Sequence, residues 1–367
     1  MTCDDRSAVT DFLVKRDDLR ECRIRESEPP SPAAGQALLR VESFGLTANN
    51  VTYAVMGEAM NYWDFFPAED GWGRVPMWGF AAVERSEAEG VEEGTRVFGY
   101  LPPSSHLLVT PVDADRSGFV DGAPHRAALP SAYHRYLATD ADPFYTADSE
   151  AIQMLMRPLF FTSFLIDDQL DNEGLVGRGP IAIASASSKT AIAAAFLLAQ
   201  RGGAELIGLT SSGNVEFVEG LGIYDSIVAY DAIGDLERRP ATFVDMAGDG
   251  AVRRAVHEHY GDQLVHSMAV GVTHWEELGA GAGAGDLPGP RPAFFFAPDW
   301  VKKRSSEWGR DALGARVAES WHPFAEWTAG WLEPIPGNGF AAVQSAYEDV
   351  LEGRVPPKQA HVISLPS

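Results

Sequence analysis

Residues 180–212 constrain the fold of this chain more than any other stretch. They read Pro-Ile-Ala-Ile-Ala-Ser-Ala-Ser-Ser-Lys-Thr-Ala-Ile-Ala-Ala-Ala-Phe-Leu-Leu-Ala-Gln-Arg-Gly-Gly-Ala-Glu-Leu-Ile-Gly-Leu-Thr-Ser-Ser. Ile181 to Ala184 is a short apolar run, the pattern of a strand buried on both faces. Ser185 to Thr190 is a turn of small, mostly hydroxylated residues with one lysine. Ala191 to Gln200 is rich in alanine and leucine and predicts a buried helix closed by Gly202 and Gly203. Leu206 to Leu209 is the next apolar strand, which completes one βαβ unit of a parallel sheet.

The turn lacks the glycines of a dinucleotide-binding fingerprint. Ser188 and Lys189 stand where paired glycine is expected, and Ala191 where a close-packing glycine is expected. A lysine in the first turn of a helix opposes the macrodipole at a cost of a few tenths to about 1 kcal/mol. An anion at that helix N-terminus reverses the sign, because free N–H groups and the ammonium then share one phosphate. Ser185, Ser187, Ser188, Lys189 and Thr190 are therefore the candidate phosphate contacts. The alternative is that Ser185 or Ser187 only caps the helix and Lys189 points into solvent.

At 367 residues the chain is long enough for two domains, and its 45% apolar content suits a globular enzyme. The net charge of −23 argues against nucleic acid or an anionic membrane surface as a partner. Cys3 and Cys22 form no metal or disulfide pattern. No apolar run reaches membrane-spanning length, and the N-terminus lacks an export pattern, so a cytoplasmic protein is expected.

Short strands are predicted at Phe12–Val14, Cys22–Ile24, Ala37–Phe44, Gly94–Tyr100 and Leu107–Val109, the signature of an antiparallel, barrel-like N-terminal domain. Within it, Asn61 to Pro67 is densely aromatic, and Tyr62, Trp63, Phe65 and Phe66 form either a hydrophobic satellite cluster or a lid over a small-molecule pocket. Residues 151–166 predict a helix bent near Pro158. After the βαβ unit come a helix at 215–221 and strands at 226–230, 242–245 and 264–268, an α/β doubly wound pattern. Gly279 to Gly285 predicts a flexible loop, and Ala293 to Ala297 a last buried strand. Helices follow around His322 to Leu332 and Phe340 to Glu352, and the final strand, Ala360 to Leu365, is expected to return to the N-terminal domain.

This order of elements resembles the medium-chain dehydrogenase/reductase superfamily over nearly the whole chain. Gly45 to Gly57 is similar to the G-x-N-x-x-x-x-Y-x-x-x-G stretch of its zinc-free quinone oxidoreductases, with one extra residue, and Gly353 to Leu365 resembles their terminal strand. Tyr62 to Ala68, Val75 to Ala81, Ser185 to Ala191 and Phe294 to Pro298 resemble a bacterial branch described as a domain of unknown function. The resemblance implies a GroES-like β-barrel catalytic domain at 1–150 and 320–367, and a Rossmann dinucleotide-binding domain with a doubly wound parallel sheet at 151–319. It also implies a substrate in the interdomain cleft. Zinc-dependent members carry a catalytic Cys and a Gly-His-Glu motif; here the matching region is Trp78 to Glu84, with neither His nor Cys, so no metal is expected. His257 and His259 fall on different helix faces and make no metal pair.

The resemblance places Tyr53 on the tyrosine lining the active site of zinc-free reductases, where a phenol donates to a substrate oxygen, and Asn50 on an asparagine near the nicotinamide ribose. A buried aromatic with a satisfied hydroxyl is the competing reading of Tyr53. Thr162 matches a threonine facing the cofactor, and Tyr230 a position near the adenosine. Gly248, Gly271 and Thr273 end Rossmann strands, where ligands collect, and His274-Trp275 is either substrate pocket or interdomain packing. The second strand ends in Thr210, Ser211, Ser212 and Asn214, neutral and donor-rich where NAD-specific domains carry a carboxylate, so NADPH is the expected cofactor. The expected activity is zinc-independent, NADPH-dependent hydride transfer to a small enone, quinone or carbonyl compound. An NADPH-binding protein without turnover, and a lyase or isomerase, are the alternatives. Whether the chain pairs as a homodimer stays open.

Overall fold

The computed structural model describes residues 8–246, 248–270 and 287–366. Its contacts divide the chain into two compact units, Met1–Leu155 with Leu332–Ser367, and Met156–Trp331.

The first unit begins with β1 (Val9–Lys15), β2 (Asp18–Ser27), β3 (Ala37–Leu46) and the short helix α1 (Ala48–Val55). It continues through β4 (Trp72–Gly73), β5 (Met77–Ser86), β6 (Arg96–Leu101), β7 (His106–Val109), β8 (Pro111–Asp115), β9 (Gly118–Asp121) and β10 (Arg135–Ala138). α2 (Glu150–Asn172) leads into the second unit with Pro158 inside it, so the predicted helix runs several residues further than its apolar pattern. That unit holds β11 (Ile181–Ala184), α3 (Lys189–Arg201), β12 (Leu206–Thr210), α4 (Val215–Gly220), β13 (Ser226–Ala229), β14 (Ala241–Asp245), α5 (Gly250–Tyr260), β15 (Leu264–Ala269), β16 (Ala293–Phe294), α6 (Ala297–Trp308) and α7 (Arg310–Thr328). The chain then returns to the first unit as β17 (Glu333–Asn338), α8 (Gly339–Leu351) and β18 (Gln359–Ser364).

In the first unit β2-β1-β4 form a three-stranded sheet, and nine strands form a larger one in the order β17-β18-β3-β5-β6-β10-β9-β8, with β7 also on β3. β18 pairs antiparallel with β3, so the last strand closes the N-terminal sheet as expected. β17, which carries two prolines and has no strand-like sequence, pairs parallel with β18. A core of Phe12, Val14, Leu39, Val41, Phe44 and Tyr347 joins β1, β3 and α8.

In the second unit the six strands are parallel, in the order β13-β12-β11-β14-β15-β16. Numbered from β11 this is 3-2-1-4-5-6, the doubly wound dinucleotide-binding order, whose direction reverses between β11 and β14. The four residues of β11 are fully buried, which explains their unbroken apolar run. The predicted strand at 293–297 shrinks to two residues, because Ala297-Pro298 opens α6 with proline in its first turn. Residues 320–331, placed with the catalytic domain on sequence, lie in this unit: Trp321 and Phe324 of α7 pack against Phe160 of α2, and Phe324 edge-on against Phe196 of α3.

Candidate active site

The turn between β11 and α3 is built from side chains where a glycine-rich turn would use bare backbone. Ser185 takes φ +55°, a left-handed conformation that usually selects glycine. Its N–H donates to the Tyr230 hydroxyl at 3.0 Å. Ser188 caps α3 by accepting from the Ala191 N–H at 3.3 Å, so the cap is Ser188 and neither Ser185 nor Ser187. Ser187 Oγ accepts from Asn214 Nδ2 at 3.1 Å and lies 3.5 Å from the buried Thr210 hydroxyl. Beneath the turn the Tyr224 hydroxyl reaches the carbonyls of Ala186 and Ala191 at 3.3 and 3.4 Å, and the Ser163 hydroxyl that of Thr190 at 2.8 Å.

These contacts bear on whether a dinucleotide pyrophosphate fits. Ala191 is fully buried, supplying the close helix–strand packing that glycine provides elsewhere. Lys189 is half-buried, and desolvation pushes its pKa down to about 8. A phosphate at the α3 N-terminus would offset that cost while meeting the helix dipole. Ser211 and Ser212 are at the end of β12, beside Asn214. Gly248 donates its N–H to Asp245 Oδ1 at the end of β14; the cation at the α3 N-terminus and the strand order are what fit a pyrophosphate. Gly271, Thr273, His274 and Trp275, like the predicted loop at 279–285, lie outside the described residues. The Thr162 hydroxyl donates to the Pro158 carbonyl within α2, at 3.4 Å.

In the first unit, Thr47 and Asn50 form a capping box that starts α1. Asn50 is buried, accepts from the Thr47 N–H at 2.8 Å and donates to the Pro76 carbonyl at 2.8 Å. Its amide is thus engaged in fixing the helix. One turn on, the buried Tyr53 hydroxyl accepts from Asn49 Nδ2 at 2.7 Å and Trp78 Nε1 at 3.4 Å. Burial raises its pKa far above that of an ordinary phenol, with the neighbouring Tyr62 adding to the rise. The ring packs within 4.7 Å of Tyr62 and 5.6 Å of Tyr100, centroid to centroid, and Tyr133 lies 4.7 Å from Tyr100. Phe65 and Phe66 also join this cluster.

Trp63 does not. It points into the main core, where a Cβ on Gly57 would sit 2.1 Å from its Nε1 and one on Gly73 2.3 Å from its ring. This corrects its assignment to the substrate pocket. Sequence reading missed Tyr100, Tyr133 and Trp78, which strands and loops far apart in the chain bring to Tyr53. Among the described residues, no three His, Cys, Asp or Glu side chains are grouped to hold a metal ion, and no helix is long and apolar enough to cross a membrane. His257 is engaged by the Pro288 carbonyl and Ser267, each at 2.9 Å.

The fold is the two-domain fold of medium-chain dehydrogenases and reductases. CurA of Vibrio vulnificus, solved with NADPH, is similar at a TM-score of 0.59 and 14% identity, covering 98% of this chain and 99% of that one. Enoyl thioester reductase of Candida tropicalis, in a mutant form, gives 0.58 and 11%, covering 98% and 100%. The CurF ER cyclopropanase of curacin A biosynthesis gives 0.60 and 14%, covering 98% and 99%. Comparison with curated protein sequences finds no match. The chain belongs to the family described as "Protein of unknown function (DUF2855)", whose profile matches residues 44–356.

Proposed function

We propose that this protein is an oxidoreductase that uses NADPH to reduce a small enone, quinone or carbonyl compound without zinc. The observation that carries this reading is the α3 N-terminus: a half-buried lysine with a depressed pKa, set at the carboxyl end of β11 in a 3-2-1-4-5-6 sheet. Ser187, Ser188, Lys189 and Thr190 would hold the pyrophosphate. Ser211, Ser212, Asn214 and Tyr230 would meet the adenosine 2′-phosphate, and Thr162 and Gly248 would lie toward the nicotinamide. When bound, NADPH supplies the hydride.

Tyr53 would donate its proton in a hydrogen bond to the substrate oxygen as that oxygen gains charge. Asn49 and Trp78 both donate to the Tyr53 oxygen, so its own proton is the group left to offer. Its raised pKa keeps the phenol neutral, which suits stabilisation by hydrogen bonding rather than full proton transfer. Asn50 acts at one remove by fixing the helix that carries Tyr53. The cyclopropanase among the similar structures favours a second reading, NADPH-linked chemistry whose net product is not a simple reduction. The test is calorimetric titration with NADPH, then NADPH oxidation against a panel of quinones and enones. Binding without oxidation would favour a silent binding protein, and absence of binding would sink both readings.

A further inference from the structure

Arg126 closes a short turn, Pro124–Arg126, between β9 and β10, and is 1% exposed. None of its three guanidinium nitrogens has an acceptor in hydrogen-bonding geometry. Asp121 pairs with it as an ion, Oδ2 lying 3.2 Å from Nε, while Asp121 Oδ1 accepts from the Thr110 and Ala123 N–H groups, both at 3.0 Å; neither Nη group is hydrogen-bonded to this carboxylate. Phe66 lies against the guanidinium, its centroid 4.8 Å from Cζ. The Tyr136 hydroxyl beside it gives its proton to the Tyr100 carbonyl at 2.7 Å and leaves its oxygen facing the guanidinium as a neutral acceptor. The hydroxyl of Tyr100 and Nε2 of His134, both buried, are likewise unpartnered. Burial, helped by the charge of Arg126, holds the His134 pKa below its ordinary value, so this imidazole brings no second cation.

Nη1 and Nη2 of Arg126 are thus buried donors without an acceptor in hydrogen-bonding geometry, in surroundings where an unmet donor is costly. Nη1 and Nη2 form the planar fork that pairs with two oxygens at once. From Arg126 a run of ring contacts leads to Tyr53: Phe66 to Tyr100, tilted, at 5.8 Å, and Tyr100 to Tyr53, edge to face, at 5.6 Å. We infer that Arg126 is the anchor for the carboxylate of the substrate, a planar unsaturated or aromatic acid whose reducible end lies toward Tyr53. The inference rests on the tyrosine cluster being the substrate site. The guanidinium is covered in this structure, so entry requires a ring to move; Tyr62 and Tyr133, their hydroxyls 3.4 Å apart, are half-exposed, as is Trp78.

The test is calorimetric titration of the full chain, without NADPH, with benzoate, cinnamate and benzoylacrylate, each beside its amide. At least one acid should bind about tenfold or more tightly than its amide, and Arg126→Gln should erase the difference. Arg126→Lys keeps the charge without the fork and should retain only part of it. If Arg126→Gln fails to fold, by circular dichroism, the wild-type pairs and Arg126→Lys still decide. Acid and amide of equal affinity, no binding of any acid, or a preference that survives in folded Arg126→Gln would each overturn the inference. No turnover is read, so this outcome stays distinct from failure of NADPH oxidation.

Discussion

The β11–α3 turn and the tyrosine cluster solve opposite problems. In the turn, backbone groups usually left bare for a ligand are braced by side chains, Tyr230 on the Ser185 N–H and Tyr224 on the Ala186 carbonyl, while Asn214 holds the Ser187 hydroxyl. In the cluster, polar side chains sit among rings, and Tyr100, with Arg126 and His134 beside it, finds no hydrogen-bond partner. The first gives up the conformational freedom of glycine and gains a cation, Lys189. The second keeps donors unspent in low-dielectric surroundings, where each is worth most to a group that acquires charge. One region is specialised for holding and the other for polarising, and the largest effects on rate and on affinity should separate accordingly.

The sharpest break in that comparison is Tyr53→Phe. It should lower kcat about a hundredfold while changing KM far less, because the phenol acts where charge develops. Steady-state kinetics decides; an unchanged kcat would return Tyr53 to packing. Next comes cofactor choice. NADPH should bind about tenfold more tightly than NADH through charge-assisted hydrogen bonds from a neutral strand end. Dissociation constants at fixed ionic strength test this, and equal affinities would show that end to be permissive only.

Lys189→Ala should weaken NADPH binding several-fold, an effect of about 1 kcal/mol. The sign with pH follows from the depressed lysine pKa. Below about 8 the ammonium is charged and attracts phosphate, and the attraction fades as pH rises through that value. The same depression opposes folding fully below pH 8 and is relieved toward 10.5, the ordinary value. Affinity measured against pH should therefore fall above pH 8 in the wild type and stay flat in the variant.

Ser185→Gly, which removes the left-handed strain, should raise stability by up to about 1 kcal/mol in thermal melts. A loss instead would mean that the serine hydroxyl holds the turn. The smallest effect is none: chelator should leave turnover and melting temperature unchanged, and stoichiometric zinc by elemental analysis would contradict the zinc-free reading.

The parallel sheet was legible because its evidence is local. A strand buried on both faces must be apolar throughout, and a helix packed on it must repeat small and apolar residues, so Ile181 to Leu209 declares itself. β17 was not legible, since its prolines mask a strand that, among the described residues, pairs with β18 alone, the last in the chain. Trp63 and Phe65, two residues apart, looked equivalent; only the bare backbones of Gly57 and Gly73 draw the one into the core while the other joins the tyrosines.

The sequence by itself thus determined the two architectures, the order of elements, the terminal strand's return and the anomalous lysine at a helix N-terminus, because periodicity and turn chemistry act over a few residues. Only the tertiary structure decided which aromatic side chains meet, that Asn50 is spent on a cap, and that Arg126 lies buried beside Asp121 with its Nη groups unbonded. Those outcomes depend on contacts between residues far apart in the chain, and side-chain direction is settled by packing rather than by neighbours in sequence.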